Sequence, residues 1–237
     1  MNSTDAIQTV SVTGSTNDDL ASLAREGAAE GVWLRAERQR SGRGRQGREW
    51  HSPPGNLYAS TLVRLRADDP PAPTLALVAA VALHEVARAF ASRAPIEIKW
   101  PNDLMAAGAK LSGILLERVD DAVILGFGVN LADHPDEARP TISFGQLGGA
   151  PDPAAFLDAL AESFARWLER WRNEGVVPIR TRWLAAAHPV GTALSTHTAG
   201  GERVEGLFDG LEENGSLRLR LPDGTSQVIH AGDVFLI

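Results

Sequence analysis

The chain of 237 residues contains no cysteine. Disulfides, thiolate nucleophiles and cysteine-ligated metals are therefore excluded. Lysine is almost as scarce. Of 23 basic residues only Lys99 and Lys110 are lysines, and the rest (23 − 2 = 21) are arginines. The 30 acidic residues leave a net charge of −7. That balance argues against general coating of DNA or RNA, which needs surplus positive charge to neutralise phosphates. No apolar run approaches the roughly 18 to 20 residues of a membrane span. Met1 to Thr9 lacks the apolar stretch of a signal peptide. A cytoplasmic protein with no DNA partner and no membrane partner is the expectation. The six histidines (51, 84, 134, 188, 197, 230) show no paired ligand spacing, so no metal site of the protein's own is expected.

What is present suits a folded chain. Hydrophobic residues make up 43% and charged residues 22%, enough to bury an ordinary core. The length fits one large domain, or one domain with a small appendage. A short helix is expected over Asn17 to Gly27, capped by Ser15, Thr16 or Asn17 and ended by Gly27. Strands are expected over Val32 to Ala36, Asn56 to Leu65, Ile96 to Trp100, Leu111 to Arg118 and Ala122 to Val129. Between the second and third of these, Leu75, Val78, Ala82 and Val86 mark a helix over Thr74 to Ala91. Leu157, Leu160, Phe164, Trp167, Leu168 and Trp171 form the apolar stripe of a helix over Pro153 to Asn173. A shorter helix is expected over Pro178 to Ala187. From Pro189 onward the pattern turns to short β-runs. Asn214-Gly215 predicts a hairpin turn, and the tail fits a small barrel appended to an α+β domain.

Chemistry concentrates in two segments. Arg35 to Glu49 holds six arginines and two glutamates, a local surplus of four positive charges. Its tightest part is Gly42-Arg43-Gly44-Arg45-Gln46-Gly47-Arg48. Glycines let the backbone approach a ligand, and arginines between them make charge-assisted, often bidentate bonds to phosphate oxygens. A solvated loop with no ligand is the plain alternative. The loop fits neither the Walker A pattern nor the dinucleotide fingerprint. The second segment is Lys99-Trp100-Pro101-Asn102-Asp103. Pro101 should end a strand and place Asn102 and Asp103 in a turn. There they can meet a nucleotide phosphate directly or through Mg²⁺, or form an ordinary turn. An Ala- and Arg-rich composition is also what a GC-rich genome tends to encode, which makes the two retained lysines more informative.

These segments fall in a known order. Gly42 to Trp50, Lys99 to Asp103, Lys110-Leu111-Ser112-Gly113-Ile114-Leu115-Leu116-Glu117 and Gly126-Phe127-Gly128-Val129-Asn130 resemble the successive motifs of the biotin–protein ligases. Gly14-Ser15-Thr16-Asn17 matches the family's early Ser-Thr-Asn element, and Gln39 stands just ahead of the glycine–arginine loop as in the family. The resemblance spans about Thr13 to Asn130. It implies an α+β fold: a mixed-sheet catalytic domain of the biotin/lipoate ligase type over residues 1–187, and a small SH3-like β-barrel over 188–237. It also implies the activity: synthesis of biotinyl-5′-AMP from biotin and ATP with Mg²⁺, then transfer of biotin to a lysine of the biotin carboxyl carrier domain of a carboxylase.

The resemblance assigns roles. Ser15, Thr16, Asn17 and Gln39 would meet the ureido end of biotin, which needs paired donors and acceptors. Arg43, Gly44 and Arg45 would close over biotin and the phosphates. Lys99 would hold the biotin carboxylate against the α-phosphate, with Arg43 and Arg45 as further catalytic cations. Gly113 would give clearance along the biotin. Arg45, Trp50, Asn102, Lys110 and Asn130 would serve the nucleotide. The element at Ser15 leaves no room before it for the helix-turn-helix of the family's repressors, so a monofunctional ligase is expected. A homodimer is possible through sheet edges near Gly113 to Asn130. The rivals are a lipoate–protein ligase, a degenerate ligand sensor, against which no expected polar site residue is missing, and a nucleic-acid-binding module built on the arginine loop. The last leaves Lys99 to Asp103 and Gly126 to Asn130 without use.

Overall fold

The sequence Ile7–Thr13 alternates β-branched with small polar residues, a composition that fits a pleated, half-exposed surface. In the computed structural model, which describes residues 7–91, 93–135, 140–197, 203–230 and 232–236, this stretch is the first strand, β1 (Ile7–Thr13). Its polarity hid it from the reading of the N-terminus above. Helix α1 (Thr16–Arg25) follows, with the Ser15 hydroxyl as its cap, accepting from the Asp18 amide at 3.5 Å. Then come β2 (Trp33–Gln39), β3 (Leu57–Arg64), α2 (Leu75–Phe90), β4 (Ile96–Lys99), β5 (Asp103–Ala106), β6 (Ala109–Val119) and β7 (Ala122–Val129). The expected elements all form. β5 is additional, because Asp103 opens a strand instead of completing a turn.

These seven strands make one mixed sheet in the order β1-β2-β3-β7-β6-β5-β4. β1 and β2 are parallel and the other pairs antiparallel. The expectation that Gly113 to Asn130 offers free sheet edges is overturned, since β6 and β7 lie inside the sheet. The edges are β1 and β4. A backbone bond from the Ile98 amide to the Ala186 carbonyl, 2.8 Å, covers β4.

Strand alternation divides the core in two. Leu57, Ala59, Val63, Leu125, Phe127 and Val129 point to the face covered by α2 and α3 (Pro153–Glu174). Leu34, Leu62, Ala122 and Ile124 point the other way, against Leu20 and Ala24 of α1. The apolar stripe of α3 is buried as its spacing requires, and the Trp171 indole donates to the Thr74 hydroxyl at 2.8 Å. The segment Ala72–Phe90 does reach the length and apolarity of a membrane span, contrary to the reading above, but 67% of it is buried inside the protein. It is the central core helix, packed between sheet, α3 and α4 (Val176–Leu184).

Beyond α4 the strands β8 (Ala193–His197), β9 (Arg203–Leu211), β10 (Leu217–Arg220), β11 (Ser226–Ile229) and β12 (Val234–Leu236) form an antiparallel sheet ordered β11-β10-β9-β8-β12. This is the small SH3-like unit. Gly215, at φ +83°, makes the expected turn between β9 and β10. Its carbonyl accepts from the Trp100 indole at 3.0 Å, so the small unit docks beside the turn that follows Lys99.

Candidate active site

Residues directly opposite one another on antiparallel strands share a face. One transverse row of the main sheet therefore reads Lys99, Asp103, Gly113, Gly128, Tyr58, Ala36. The next row brings Leu115, Gly126, Ser60 and Leu34 into line. α1 covers this face as far as Gly126, on which Asn17 packs. Where it stops, three glycines remove the side chains, and a cleft of about 290 Å³ opens on the bare sheet. That volume is at the small end of the range for small-molecule sites, roughly 300 to 1,000 Å³.

The glycines are required by their neighbours. A Cβ on Gly126 would lie 2.3 Å from the Asn17 Oδ1, and one on Gly128 would lie 2.5 Å from the Trp50 indole. Asn17 forms the back wall. Its Oδ1 accepts from the Ser60 hydroxyl at 2.6 Å and its Nδ2 donates to Glu117 at 2.7 Å. Gln39 is anchored beside it, its Oε1 accepting from the Thr16 amide at 2.9 Å and the Thr16 hydroxyl at 3.1 Å. Ser15, Thr16 and Asn17 are all buried at this end of the cleft.

The glycine–arginine loop closes the cleft. Backbone bonds from Trp50 to Gly42 (2.8 Å) and from Gly44 to Arg48 (2.7 Å) fold it into a narrow hairpin. Side chains fasten it at two ends. Arg43 donates both arms of its guanidinium to Asp18 on α1, each at 2.6 Å, and one arm reaches Glu117 at 3.4 Å. Arg45 donates to the Gly232 carbonyl at 3.2 Å and to Asn102 Oδ1 at 3.3 Å. Burial pulls the Arg45 guanidinium below its ordinary pKa, a shift opposed by Asp233 and Asp103. Arg48 pairs with Asp233 at 2.8 Å. Trp50 lies across Gly113 and Gly128, and its buried Nε1 has no hydrogen-bond partner among the described residues.

Lys99 stands at the far end of the row, its Nζ 5.9 Å from the centre of the Phe235 ring. Lys110 reaches the same end, paired with Asp103 at 2.8 Å and 5.4 Å from the Trp50 ring. The cleft is thus electrically two-ended. Around Asn17, one arginine faces two carboxylates (Arg43 against Asp18 and Glu117). Around Lys99, among the described residues, the cations Lys99, Lys110, Arg45 and Arg48 outnumber the carboxylates Asp103, Asp233 and Glu49.

Every residue singled out in the sequence lines this cleft: Ser15, Thr16, Asn17, Gln39, Arg43, Gly44, Arg45, Trp50, Lys99, Asn102, Lys110, Gly113 and Asn130. Like Arg45, the two asparagines of the cationic end are tied to the backbone. Asn102 donates to the Ile114 carbonyl, and Asn130 donates to the carbonyls of Ile142 (3.1 Å) and Lys110 (3.4 Å). The sequence reading gave no role to Asp18, Ser60, Asp233 or Phe235. Glu117 lay within a quoted motif. Asp233 and Phe235 are about 130 residues from Lys99 in the chain, and no local pattern announces their approach.

Three likenesses accompany this geometry. Residues 10–130 match the model of the biotin/lipoate A/B protein ligase family, and residues 196–237 match that of the biotin protein ligase C-terminal domain. A biotin–[acetyl-CoA-carboxylase] ligase of Paracoccus denitrificans is 41% identical over 236 residues, covering 94% of this chain and 97% of the relative. One from Mycobacterium tuberculosis is 34% identical, covering 96% and 88%. The fold matches a biotin protein ligase from Aquifex aeolicus, solved in complex with biotin and ATP, at a TM-score of 0.87 and 23% identity, over 98% of this chain and 99% of that one.

Proposed function

The chain belongs to the biotin/lipoate A/B protein ligase family, and we propose that both steps of biotin attachment take place in the two-ended cleft. It is an ATP-dependent biotin–[biotin carboxyl carrier protein] ligase, which activates biotin to biotinyl-5′-AMP and transfers it to a lysine of a carboxylase carrier domain. The observation that supports the placement is the polarity of the cleft. Hydroxyls and amides on a net-acidic end suit a neutral ureido group and repel phosphate. The cationic end suits a carboxylate brought against a triphosphate.

In this reading Ser15, Thr16, Asn17 and Gln39 hold the ureido end, and Gly113, beneath the Trp50 indole, gives clearance along the biotin. A biotin carboxylate oxygen attacks the α-phosphorus and pyrophosphate leaves. Both partners are negative, so Lys99 and Arg45 contribute by neutralising charge and aligning the pair. Arg43, already shared by two carboxylates, acts by closing the loop over biotin more than as a free cation. Trp50, Asn102, Lys110 and Asn130 border the nucleotide. The carrier amine then attacks the acyl carbonyl and AMP leaves. Shielding this mixed anhydride from water is the purpose of the loop.

Magnesium supplies charge neutralisation on the phosphates. No three His, Asp or Glu residues among those described could cage a metal. A magnesium ion riding on ATP needs only one or two carboxylates, and Asp103 is the one on the row. Residues 1–187 serve as the catalytic domain and 188–237 as the SH3-like domain that lends Asp233 and Phe235 to the cleft. The setting is the cytoplasm, with neither DNA nor membrane as partner. A second copy extending the main sheet would use the β1 edge, since the Ala186 segment lies along β4. Incubation with ATP, Mg²⁺, labelled biotin and a carrier domain should place label on the carrier, with excess lipoate failing to compete. Effective competition by lipoate would overturn the substrate assignment.

A further inference from the structure

The loop is fastened at one end by Asp18, which matches no part of the motifs. We propose that Asp18 is a positioning residue: by gripping Arg43 it pins the glycine–arginine loop to α1 and sets how long the acyl-adenylate is retained. Three features carry this. The contact is a two-pronged fork, both N–O distances 2.6 Å, the geometry in which arginine–carboxylate pairs fix orientation as well as charge. Asp18 sits in the first turn of α1, the helix whose start also carries Thr16 and Asn17, so the grip ties the loop to the wall of the biotin end. Glu117 shares the same guanidinium and also holds Asn17, linking wall and loop through one carboxylate. The hydrogen bonds from Arg43 hold the Asp18 carboxyl below its usual range, so the pair is charged at neutral pH.

Asp18 touches no reacting atom in this arrangement. Its removal should show above all as faster loss of adenylate already formed, whatever it does to the rate of formation. The pair is partly exposed, with side chains 36% and 54% accessible, so its grip belongs in the range of surface ion pairs. A release rate about fivefold faster is the corresponding expectation.

The inference rests on the ligase reading, and the experiment separates the two. Full-length protein is loaded with labelled biotin, ATP and Mg²⁺, freed of excess substrate, and chased with unlabelled biotinyl-AMP while bound label is followed. Failure of the parent to form adenylate would sink the ligase reading. Given formation, Asp18→Asn should lose label about fivefold faster than the parent, and Asp18→Glu should restore retention. Asp19→Asn is the control, because Asp19 lies in the same first turn and bonds Thr13 instead of the loop. Added salt should speed release more from the parent than from Asp18→Asn, in which the Arg43–Glu117 and Arg48–Asp233 pairs remain. If Asp18→Asn retains label like the parent, or if Asp19→Asn matches its loss, the latch is refuted.

Discussion

Gly113 and Gly128 stand opposite each other on β6 and β7, and the Trp50 indole lies across both. The pair therefore serves as the seat of the loop as well as the floor of the cleft. A methyl at Gly128 would meet the indole at 2.5 Å. Because Trp50 is on a loop, it can move away at modest cost to the fold. Gly128→Ala should keep a melting temperature within a few degrees of the parent. Displacing the lid by about an ångström should nonetheless cost on the order of 100-fold in adenylate formation. Pyrophosphate release measured beside thermal melting would test this, and a near-normal rate would show that the seat does not matter.

Much of this site can be read in the sequence, for a physical reason. Residues that must approach a ligand closely are glycines, and those that must carry fixed charge sit beside them. Short motifs therefore hold Gly113, Gly128, Lys99 and Arg45 together in recognisable strings. β1 could not be read in the same way, because its identity comes from pairing with β2 and not from an apolar pattern. β5 was hidden because Pro101 and Asn102 look like a stop signal, whereas they make the turn of a tight hairpin. The loop's anchors were hidden most deeply. Asp18 reads as a helix-start acid and Asp233 as a turn residue. Only the fold brings them to Arg43, Arg45 and Arg48.

His84 makes the fold sensitive to acid. Its Nε2 donates to the Ile96 carbonyl at 3.0 Å, at the start of the strand that ends in Lys99, and its Nδ1 accepts from Arg182 at 3.3 Å. Burial, with Arg182 and Arg88 nearby, lowers its pKa from 6.5, against opposing contributions from the Ile96 carbonyl and Glu85. In the window below 6.5 the unfolded chain therefore binds more protons than the native one. The contribution of His84 is complete above that pH and is lost as pH falls toward the lowered value. Melting temperature should fall between pH 7 and about 5.5. His84→Gln, which keeps a donor for Ile96, should flatten that part of the profile. An unchanged slope in the variant would assign the effect elsewhere.

A second ionic cluster is purely structural. Arg172 on α3 is 10% exposed and donates to Glu30 at 2.8 Å, Asp69 at 3.0 Å and the Arg64 carbonyl at 2.9 Å. Arg172→Met would leave the two carboxylates without their main partner, a loss of about 3 kcal/mol for a well-buried pair. For a chain of this size that is a fall of about 10 °C in melting temperature. Adenylate formation at 20 °C should be little changed, since Arg172 does not line the cleft. Equal losses in stability and turnover would contradict the separation.

Lys99 gives the sharpest division between fold and chemistry. Its backbone is fixed by pairing with Asp103, its neighbour Trp100 is fastened to Gly215, and β4 is covered by the Ala186 segment, so none of these supports depends on the ammonium. Lys99→Ala should therefore fold and melt close to the parent. Without the compact cation, two anions must be aligned with less compensation. Adenylate formation should fall on the order of 100- to 1,000-fold, the range for losing one preorganised electrostatic contact. Lys99→Arg is the stricter variant. It restores the charge, but its planar fork is broader than an ammonium beside Phe235. It should recover little of the rate if a point charge between carboxylate and phosphate is what the site requires. Transfer from chemically supplied biotinyl-AMP to the carrier should survive better than adenylate formation in both variants, because that step begins after the two anions have been joined. Near-normal pyrophosphate release in Lys99→Ala would remove Lys99 from the first step.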